Sequence, residues 1–249
     1  METTLSIIIP AFEEEDRLEA GLISVLEYLN ADEPQGELIV VDDGSSDRTA
    51  EVARATCARF PNVKSKVIRY EVNRGKGYAV RTGFQEAAGK IALFSDADLS
   101  TPISEAVKLV APIRGGECDV AFGSRALDRS LIGVHQPWRR EQGGRVFNFI
   151  VRTLTGLPFW DTQCGFKAFN MSKFRPLLRV MQIDRFGFDV EFLFVSQLRG
   201  LRLREIAVRW NHDERTKVNV LRDSRMMFQE VRMIKRNAKT GVYSDGSKA

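Results

Sequence analysis

Short apolar runs rich in isoleucine and valine alternate with longer amphipathic stretches in the first half of the chain, and no other feature constrains the fold as much. Buried parallel strands are continuous apolar runs, whereas helices that cover a sheet carry apolar residues at helical spacing. The pattern therefore predicts an α/β fold, a mixed and mostly parallel sheet flanked by helices. The predicted strands are 5–10, 37–41, 66–70, 91–95 and 119–123, and the predicted helices include 17–29, 46–59 and 78–88.

Two carboxylates follow the fourth predicted strand. Asp96 and Asp98 close the apolar run 91–95, and side chains at positions i and i+2 of an extended chain point to the same side. Two like charges this close need a cation or a proton to offset them. Oxygen ligands favour Mg²⁺ or Mn²⁺ over zinc, and such ions often complete their shell with substrate phosphates. The pair therefore predicts a metal site; an Asp-rich turn before a helix that starts near Pro102 is the structural alternative.

Two further loops follow predicted strands and face the same edge of the sheet. Asp42 and Asp43 end the second strand before Gly44, and a carboxylate at a strand end can accept hydrogen bonds from a base or a ribose. Residues 73–77 are Asn-Arg-Gly-Lys-Gly and precede a helix, so that free backbone amides and Lys76 can meet a diphosphate. Each motif also fits an ordinary turn, and the second lacks the Gly-Lys-Ser/Thr sequence of a Walker loop.

Composition excludes several classes of protein. The three cysteines among 249 residues are few, odd in number and widely spaced, which fits neither a disulfide framework nor a zinc site. The chain shows neither a signal-peptide pattern nor a long uncharged apolar run, so we expect it to work in the cytoplasm or on the cytoplasmic face of a membrane, where its attachment would be peripheral or through a partner. The stretch 201–239 has eleven Lys or Arg against five Asp or Glu, which fits a solvated helix or a surface facing phosphates. Because no nucleic-acid-binding motif accompanies it, nucleic acid is not an expected partner.

The second half of the chain is less regular. Strands are expected at 163–170 and 203–210 and a helix at 188–198, so mixed pairing is predicted on this side of the sheet. The apolar and aromatic stretch 146–160 fits either the core or a segment that lies in a membrane interface. Residues 239–249 are rich in Gly, Ser and Lys and are predicted to be a flexible tail. The sequence does not indicate an oligomeric state.

Together these motifs resemble those of inverting glycosyltransferases of the GT-A fold, family 2, in the branch of dolichyl-phosphate β-glucosyltransferases and dolichyl-phosphate mannose synthases. The resemblance covers roughly residues 5–235. Ser100 stands where mannose synthases often have Gln, so the third metal ligand and the donor preference stay open. The motifs, in the family's order, are Pro10-Ala11-Phe12-Glu13-Glu14, Asp42-Asp43-Gly44-Ser45, Asn73-Arg74-Gly75-Lys76-Gly77, Asp96-Ala97-Asp98, Gly123-Ser124-Arg125, Asp161 to Lys167 and Phe188-Asp189-Val190-Glu191.

The resemblance implies a Rossmann-like GT-A domain over 1–238, whose first half, 1–125, binds a nucleotide sugar and whose second half, 126–238, binds the acceptor and ends in a basic helix. It also implies that Asp96 and Asp98 hold Mg²⁺ or Mn²⁺ on the donor diphosphate. The donor-binding residues it implies are Pro10, Ala11, Phe12, Glu14, Asp42, Asp43, Lys76 and Asp96.

The implied reaction moves a hexose, most simply glucose from UDP-glucose, to a polyprenyl or dolichyl phosphate at a membrane surface. An ionised acceptor phosphate needs no strong base, so positioning and charge stabilisation would provide most of the catalysis. The resemblance assigns Arg125, Arg139 and Arg140 to the acceptor phosphate, and it makes Asp98, Arg125 and Asp189 the expected catalytic residues.

Several alternatives remain open from sequence. A family 2 enzyme that acts on a sugar hydroxyl would need a carboxylate base, for which Asp189 and Asp161 are the candidates; Asp189 also fits a charge at a helix N-terminus. A polyprenyl-phosphate mannose synthase that uses GDP-mannose is a second alternative. A nucleotide-sugar-binding or nucleic-acid-binding module without catalysis is a more distant one, supported only by the basic C-terminal stretch.

Overall fold

Strands and helices alternate from residue 5 to residue 124, as the apolar pattern predicts. The computed structural model describes the backbone of residues 2–134, 138–212 and 220–244, and the side chains of these residues except 138–141, 145 and 220–224. The strands are β1 (Leu5–Ala11), β2 (Glu37–Asp42), β3 (Lys64–Arg69), β4 (Ile91–Ser95), β5 (Val120–Ser124), β6 (Ile132–Val134), β7 (Phe166–Asn170), β8 (Leu203–Ala207) and β9 (Trp210–Asn211). The helices are α1 (Leu18–Asp32), α2 (Thr49–Ala58), α3 (Lys76–Glu86), α4 (Ala106–Arg114), α5 (Trp138–Thr155), α6 (Met171–Phe174), α7 (Phe188–Leu198) and α8 (Val220–Lys239).

Within this part of the chain, a seven-stranded sheet has the order β3-β2-β1-β4-β7-β5-β8. Its neighbouring strands pair in parallel except for β7, which runs antiparallel between β4 and β5. The predicted α/β class and the mixed pairing in the second half are therefore confirmed. Because β7 is reversed, its amino end lies at the same edge of the sheet as the carboxyl ends of β1, β2, β4, β5 and β8. Strands β6 and β9 form a separate short parallel pair.

Apolar layers cover both faces of the sheet. The alternation of side chains along β1 shows the division, because Ile7 and Ile9 pack in one layer while Ile8 packs in the other. The first layer includes buried residues of α1, α2 and α4, and the second includes those of α3, α7 and α8. Continuous burial of β1, β2, β4 and β5 explains why these strands were recognisable as unbroken apolar runs.

Two predicted strands are shorter than expected, because side-chain carboxylates accept hydrogen bonds from backbone amides in or beside the predicted ranges. The strand predicted at 163–170 begins only at Phe166, since Glu205 accepts a hydrogen bond from the amide of Asp161 (2.8 Å) and Asp161 accepts one from the amide of Gln163 (3.2 Å). The strand predicted at 203–210 is divided into β8 and β9, and the backbone between them bonds to Glu105 through Arg209 N (3.2 Å). The helix predicted at 188–198 has those bounds in the structure.

The predicted flexible tail is wrong for its first part. Helix α8 continues to Lys239, and the following turn packs Tyr243 into the core, where this side chain is 1% exposed. Its hydroxyl donates to Glu191 Oε1 at 2.6 Å. The sequence reasoning weighed the Gly, Ser and Lys of the segment and missed the single aromatic anchor. Residues 245–249 lie outside the described part of the chain.

The three cysteines agree with the sequence argument against a disulfide framework. Cys57, Cys118 and Cys164 are buried and form no disulfide. Burial raises the pKa of the Cys164 thiol to about 12, so that this group stays protonated near neutral pH. Among the described residues, no helix combines the length and the apolar character that crossing a bilayer requires.

Aromatic packing under α3 generates a stability prediction. The ring of Phe84 is buried and makes edge contacts with Phe169, Phe174 and Phe192 at centroid distances of 5.1–5.8 Å. Phe84→Ala should lower the free energy of unfolding by about 3–5 kcal/mol, because the cavity removes these contacts. Urea unfolding measures the change. Val107→Ala, at an exposed position of α4, is the control and should change it by less than about 0.5 kcal/mol. Equal losses in the two variants would contradict the packing argument.

Candidate active site

Charged side chains meet at the edge of the sheet where β4 ends and β7 begins. Asp96 and Asp98 follow β4, and Lys76 begins α3 in front of them. Asp189, in the first turn of α7, lies close enough for its charge to affect the pKa of Lys76. Lys167 enters the same cluster from β7. Open α/β sheets bind ligands at this edge, and the structure brings the predicted residues Asp96, Asp98, Lys76 and Asp189 together there.

A tight turn fixes the two carboxylates after β4. The amide of Asp96 donates to Gly165 O at 3.1 Å, and the amide of Leu99 donates back to Asp96 O at 3.1 Å. Leu99 has a φ of 44°, an unfavourable left-handed conformation for a leucine that persists where a site requires it. Asp98 Oδ1 accepts the amide of Ser100 at 3.0 Å. The Asp-rich turn of the structural alternative is therefore present, and Asp96 and Asp98 remain a pair beside it.

The position opposite Asp96 must be a glycine. A Cβ atom on Gly165 would lie 2.1 Å from Asp96 Oδ2, far inside van der Waals contact. The missing side chain therefore lets the Asp96 carboxylate lie directly against the backbone of Gly165. Sequence reasoning noted Gly165 only as part of a motif, because the close approach depends on the reversed pairing of β7 with β4.

Electrostatics at the pair favour a bound cation. Burial raises the pKa of Asp98, and the neighbouring charge of Asp96 raises it further. Lys76 Nζ lies 2.5 Å from Asp96 Oδ1 and offsets part of this repulsion. Burial alone would lower the pKa of Lys76, but Asp96 and Asp189 raise it, so Lys76 keeps its positive charge.

The donor set fits a hard divalent cation. Asp96 and Asp98 offer oxygen atoms, and the described residues contain no cluster of three or more His, Cys, Asp or Glu side chains suited to a metal. An ion held by two carboxylates keeps several positions for water or phosphate, which is the usual way in which proteins bind Mg²⁺ with a phosphorylated substrate. The residues present therefore fit the metal that the sequence predicts, and they supply no soft ligand.

Asp43, which was expected to bind the donor, holds the glycine loop 73–77. Its Oδ1 accepts the amide of Arg74 at 2.8 Å, while Oδ2 accepts the amide of Gly75 at 2.8 Å and Asn73 Nδ2 at 2.9 Å. Burial raises the pKa of Asp43, although these hydrogen bonds to its charged form oppose the shift. Asp43 therefore sets the shape of the loop that places Lys76.

The loop reaches Lys76 by a conformation that only glycine tolerates. Gly75 has a φ of 109°, and a Cβ atom there would lie 2.4 Å from Asp184 O. Helix α3 starts at the next residue, and the amide of Tyr78 donates to the same Asp184 carbonyl at 3.0 Å. The first turn of α3 thus stands against residues 183–185 and directs its N-terminus and Lys76 toward the acid pair.

Asp42 is buried at the end of β2 and organises the loop that follows. Its Oδ1 accepts the amide of Ser45 at 3.0 Å and the Ser45 hydroxyl at 2.5 Å. Its Oδ2 lies 3.4 Å from Arg69 Nε. The carboxylate is therefore fixed in direction at this edge of the sheet, and its contact with a nucleotide stays a prediction.

The first motif places a mixture of buried and exposed groups at the end of β1. Pro10 and Ala11 are buried within β1, whereas the ring of Phe12 is exposed beyond it. The Glu14 carboxylate is bound by the Arg17 guanidinium, with Arg17 Nη2 at 2.6 Å from Oε1. Glu14 is thus engaged within the protein and anchors the start of α1; Phe12 presents the most exposed surface of the four residues.

Arg125 follows β5 and forms a two-pronged ion pair with Asp161. Its Nε and Nη2 donate to Asp161 at 2.7 and 2.9 Å, and its backbone amide donates to the same carboxylate at 3.0 Å. Burial would raise the pKa of Asp161, but Arg125 lowers it, so this acid stays ionised. An acid so engaged is a poor proton acceptor, which argues against Asp161 as a general base.

Lys167 is a site residue that sequence reasoning missed. It is the second residue of β7 and its side chain is fully buried, and its Nζ donates to Asp189 Oδ1 at 2.5 Å and to Cys164 O at 2.6 Å. Burial raises the pKa of Asp189, while Lys167 and Lys76 oppose that rise. The available signal was a lysine inside an otherwise apolar strand, because a buried lysine needs a carboxylate partner.

The proposed acceptor residues Arg139 and Arg140 lie in the first turn of α5, but their side chains fall outside the described residues. Nothing in the structure therefore places their charges.

A family model described as glycosyl transferase family 2 matches residues 6–178. The chain belongs to this family. Membership agrees with the acid pair after β4 and with the glycine loop in front of it.

Several curated relatives share one name. The dolichyl-phosphate beta-glucosyltransferase of Homo sapiens is 32% identical over 250 residues, which cover 96% of this chain and 77% of that protein. The relative from Drosophila melanogaster is 36% identical and covers 86% of this chain and 69% of its own length. The Saccharomyces cerevisiae relative is 30% identical and covers 99% and 78%. The resemblance seen in the motifs is thus confirmed.

Solved structures confirm the GT-A fold. Glucosyl-3-phosphoglycerate synthase from Mycobacterium tuberculosis in complex with UDP has a TM-score of 0.69 and 21% identity, and covers 94% of this chain and 80% of that one. A structure of the same enzyme with Mn²⁺, UDP-glucose and phosphoglyceric acid has a TM-score of 0.65 at 21% identity, and covers 98% and 82%. At this identity the likeness concerns the fold alone.

The acid pair yields a metal-binding prediction. Asp98→Asn should weaken Mn²⁺ binding in the presence of UDP by at least about tenfold, because one of two anionic ligands becomes neutral. Electron paramagnetic resonance of free Mn²⁺ measures this. Without metal, the variant should melt at the same temperature or higher, since the like charge beside Asp96 is gone.

The matched control is Asp128→Asn. Asp128 Oδ1 accepts the amide of Ser130 at 3.0 Å, the same kind of turn contact that Asp98 makes with Ser100, but it lies in an exposed loop. This variant should bind Mn²⁺ as the unchanged protein does. Equal Mn²⁺ affinity in Asp98→Asn and the unchanged protein would remove Asp98 from the metal site.

Proposed function

We propose that this family 2 glycosyltransferase moves glucose from UDP-glucose to a polyprenyl phosphate, with inversion at the anomeric carbon. The observation that carries the proposal is the group formed by Asp96, Asp98 and Lys76, which puts two carboxylates and one ammonium beside the N-terminus of α3. The shared name of the curated relatives supports the sugar and the lipid phosphate. The UDP-glucose and Mn²⁺ complexes of a protein with the same fold support the donor and the metal.

The donor diphosphate would be held from two sides. Asp96 and Asp98 would hold Mg²⁺ or Mn²⁺, and the Lys76 ammonium and the first amides of α3 would face the phosphates. When bound, the metal supplies positive charge that stabilises the departing nucleoside diphosphate. Asp43 and Gly75 act earlier, because they shape the loop before any ligand arrives. Asp42 and Phe12 stand at the neighbouring strand ends, where the nucleoside would lie.

The acceptor would bind beside Arg125. Asp161 uses Nε and Nη2 of this guanidinium, which leaves Nη1 for an acceptor phosphate. Arg125 also stacks near the ring of Trp210, whose centroid is 5.5 Å from Cζ. Asp161 and Trp210 therefore fix the direction of the charge that positions the acceptor. Arg139 and Arg140 remain proposed partners of the same phosphate.

Transfer needs one displacement. An oxygen of the ionised acceptor phosphate attacks the anomeric carbon, the bond from that carbon to the diphosphate breaks, and the electron pair leaves with the nucleoside diphosphate. This acceptor has no proton to lose, so it requires no base. A hydroxyl acceptor would need one. Asp161 is held ionised by Arg125, and Asp189 is paired with the buried Lys167, so neither carboxylate stands free for that task.

Part of 146–160 packs in the core and part of it is exposed, and we propose that the exposed part faces a membrane. Val151 is fully buried in the core, whereas Phe149 is 67% exposed and Val146 is 60% exposed. Trp160, exposed near the end of this stretch, has the Arg152 guanidinium 4.1 Å above its ring. Exposed apolar and aromatic side chains next to arginines are typical of a segment that lies in a membrane interface. Our proposed membrane face is the exposed side of α5 with Val146, Phe149 and Arg152, together with Trp160 in the loop that follows the helix.

The donor and acceptor can be tested together. Purified protein with Mn²⁺ should release UDP from UDP-glucose when a short-chain polyprenyl phosphate is added, and should act more slowly on GDP-mannose. The product should be β-linked, as single displacement from an α-linked donor requires. The assay counts released nucleoside diphosphate and identifies the product by NMR. Turnover on a soluble sugar without lipid would favour the hydroxyl-acceptor alternative, and no turnover with any nucleotide sugar would favour a binding module.

The membrane face gives a separate test. Phe149→Glu should weaken binding to vesicles of phosphatidylcholine and phosphatidylglycerol by about tenfold, because burial of a phenylalanine contributes roughly 1.5–3 kcal/mol. Vesicle flotation measures this binding. Val107→Glu, at an exposed apolar position of α4, is the matched control and should float with the vesicles as the unchanged protein does. If both variants bind vesicles equally, α5 does not contact the membrane.

A further inference from the structure

The C-terminal turn is tied to the interior of the protein at one point. Tyr243 follows α8 and is almost fully buried, and its hydroxyl donates to Glu191 Oε1 at 2.6 Å. Asn237 of α8 donates to the same hydroxyl at 3.4 Å. Glu191 is itself fully buried, and burial raises its pKa, so this carboxylate depends on the donors around it.

The Glu191 carboxylate also accepts hydrogen bonds from the loop that precedes α7. Its carboxylate accepts the amide of Gln182 at 3.0 Å and the amide of Ile183 at 2.9 Å. Helix α8 holds the other end of the same loop, because Glu230 Oε2 accepts the amide of Gly187 at 2.8 Å. The backbone of 182–187 is therefore fixed by two buried acids, one of which is bound by Tyr243.

The opposite side of this loop presses against the glycine loop that carries Lys76. Asp184 O accepts the amide of Tyr78, and Ile183 O lies so close to Gly77 that a Cβ there would be 2.6 Å away. Arg81 of α3 binds the Asp184 carboxylate as well. A displacement of 182–184 by a few tenths of an ångström would therefore move the start of α3.

We propose that Tyr243 is a positioning residue for donor binding, because it fixes residues 182–184, through Glu191, against the loop that places Lys76. The inference rests on the proposed function for what Lys76 binds. Tyr243 touches no reacting group, and its effect reaches the site through two packed loops. The two acids of α7 have different partners: Asp189 accepts a hydrogen bond from Lys167 in the site, and Glu191 accepts one from Tyr243 in the C-terminal turn.

The test compares two variants that lose the same kind of contact. Tyr243→Phe removes the hydroxyl and keeps the ring. Ser6→Ala is the matched control, since the Ser6 hydroxyl donates to buried Glu37 Oε1, also at 2.6 Å, at the opposite edge of the sheet. Each variant is studied as the full chain with Mn²⁺. Hydrogen exchange of residues 75–79 and 182–184 is measured by mass spectrometry, and steady-state kinetics give KM and kcat for UDP-glucose.

We expect Tyr243→Phe to accelerate exchange in both segments and to raise the KM for UDP-glucose by roughly threefold to tenfold, with kcat changed by less than about twofold. Ser6→Ala should lower the melting temperature and change neither quantity. Unchanged exchange in Tyr243→Phe, or equal effects in the two variants, would reduce Tyr243 to a general stabilising contact. If the protein without substitutions shows no turnover of UDP-glucose, the proposed function is overturned instead. The hydrogen-exchange comparison would still decide whether residues 182–184 and 75–79 are linked through Tyr243.

Discussion

The repulsion between Asp96 and Asp98 is the constraint around which the rest of the site is arranged. Two carboxylates at the end of one strand destabilise the fold unless positive charge stands beside them. The chain supplies that charge with Lys76, which reaches Asp96 only because Gly75 adopts a conformation closed to other residues. It also lets the Asp96 carboxylate pack directly against the backbone by placing Gly165 there. Local strain at Leu99 completes an arrangement that is costly for stability and suited to binding a cation.

The reversed strand β7 explains how a site on a parallel sheet acquires groups from the second half of the chain. A parallel β7 would send its first residues to the far edge. Running antiparallel, it brings Gly165 to Asp96 and Lys167 to Asp189, and the loop before it brings Asp161 to Arg125. The proposed donor side and the proposed acceptor side of the site therefore share one structural origin.

Sequence alone was sufficient where the chemistry is local. The i, i+2 spacing of Asp96 and Asp98, the glycines around Lys76 and the apolar runs of β1 and β4 each follow from a few consecutive residues. It was insufficient where partners are distant in the chain. No spacing rule pairs Lys167 with Asp189, or Tyr243 with Glu191 across 52 positions. For the same reason Asp43 was taken for a ligand-binding acid, although it is occupied by the loop that begins thirty residues later.

Charge balance links the two halves of the proposed reaction. Asp96, Asp98, Asp161 and Asp189 face Lys76, Lys167 and Arg125, so this group carries one excess negative charge when all of its members are ionised. An anionic diphosphate would be repelled by it, and a divalent cation reverses its sign. The buried pairs Arg125–Asp161 and Lys167–Asp189 contribute little to this net charge, because each pair is already neutral. Control of donor entry therefore falls to Asp96, Asp98 and Lys76, the groups whose net charge a bound metal alters.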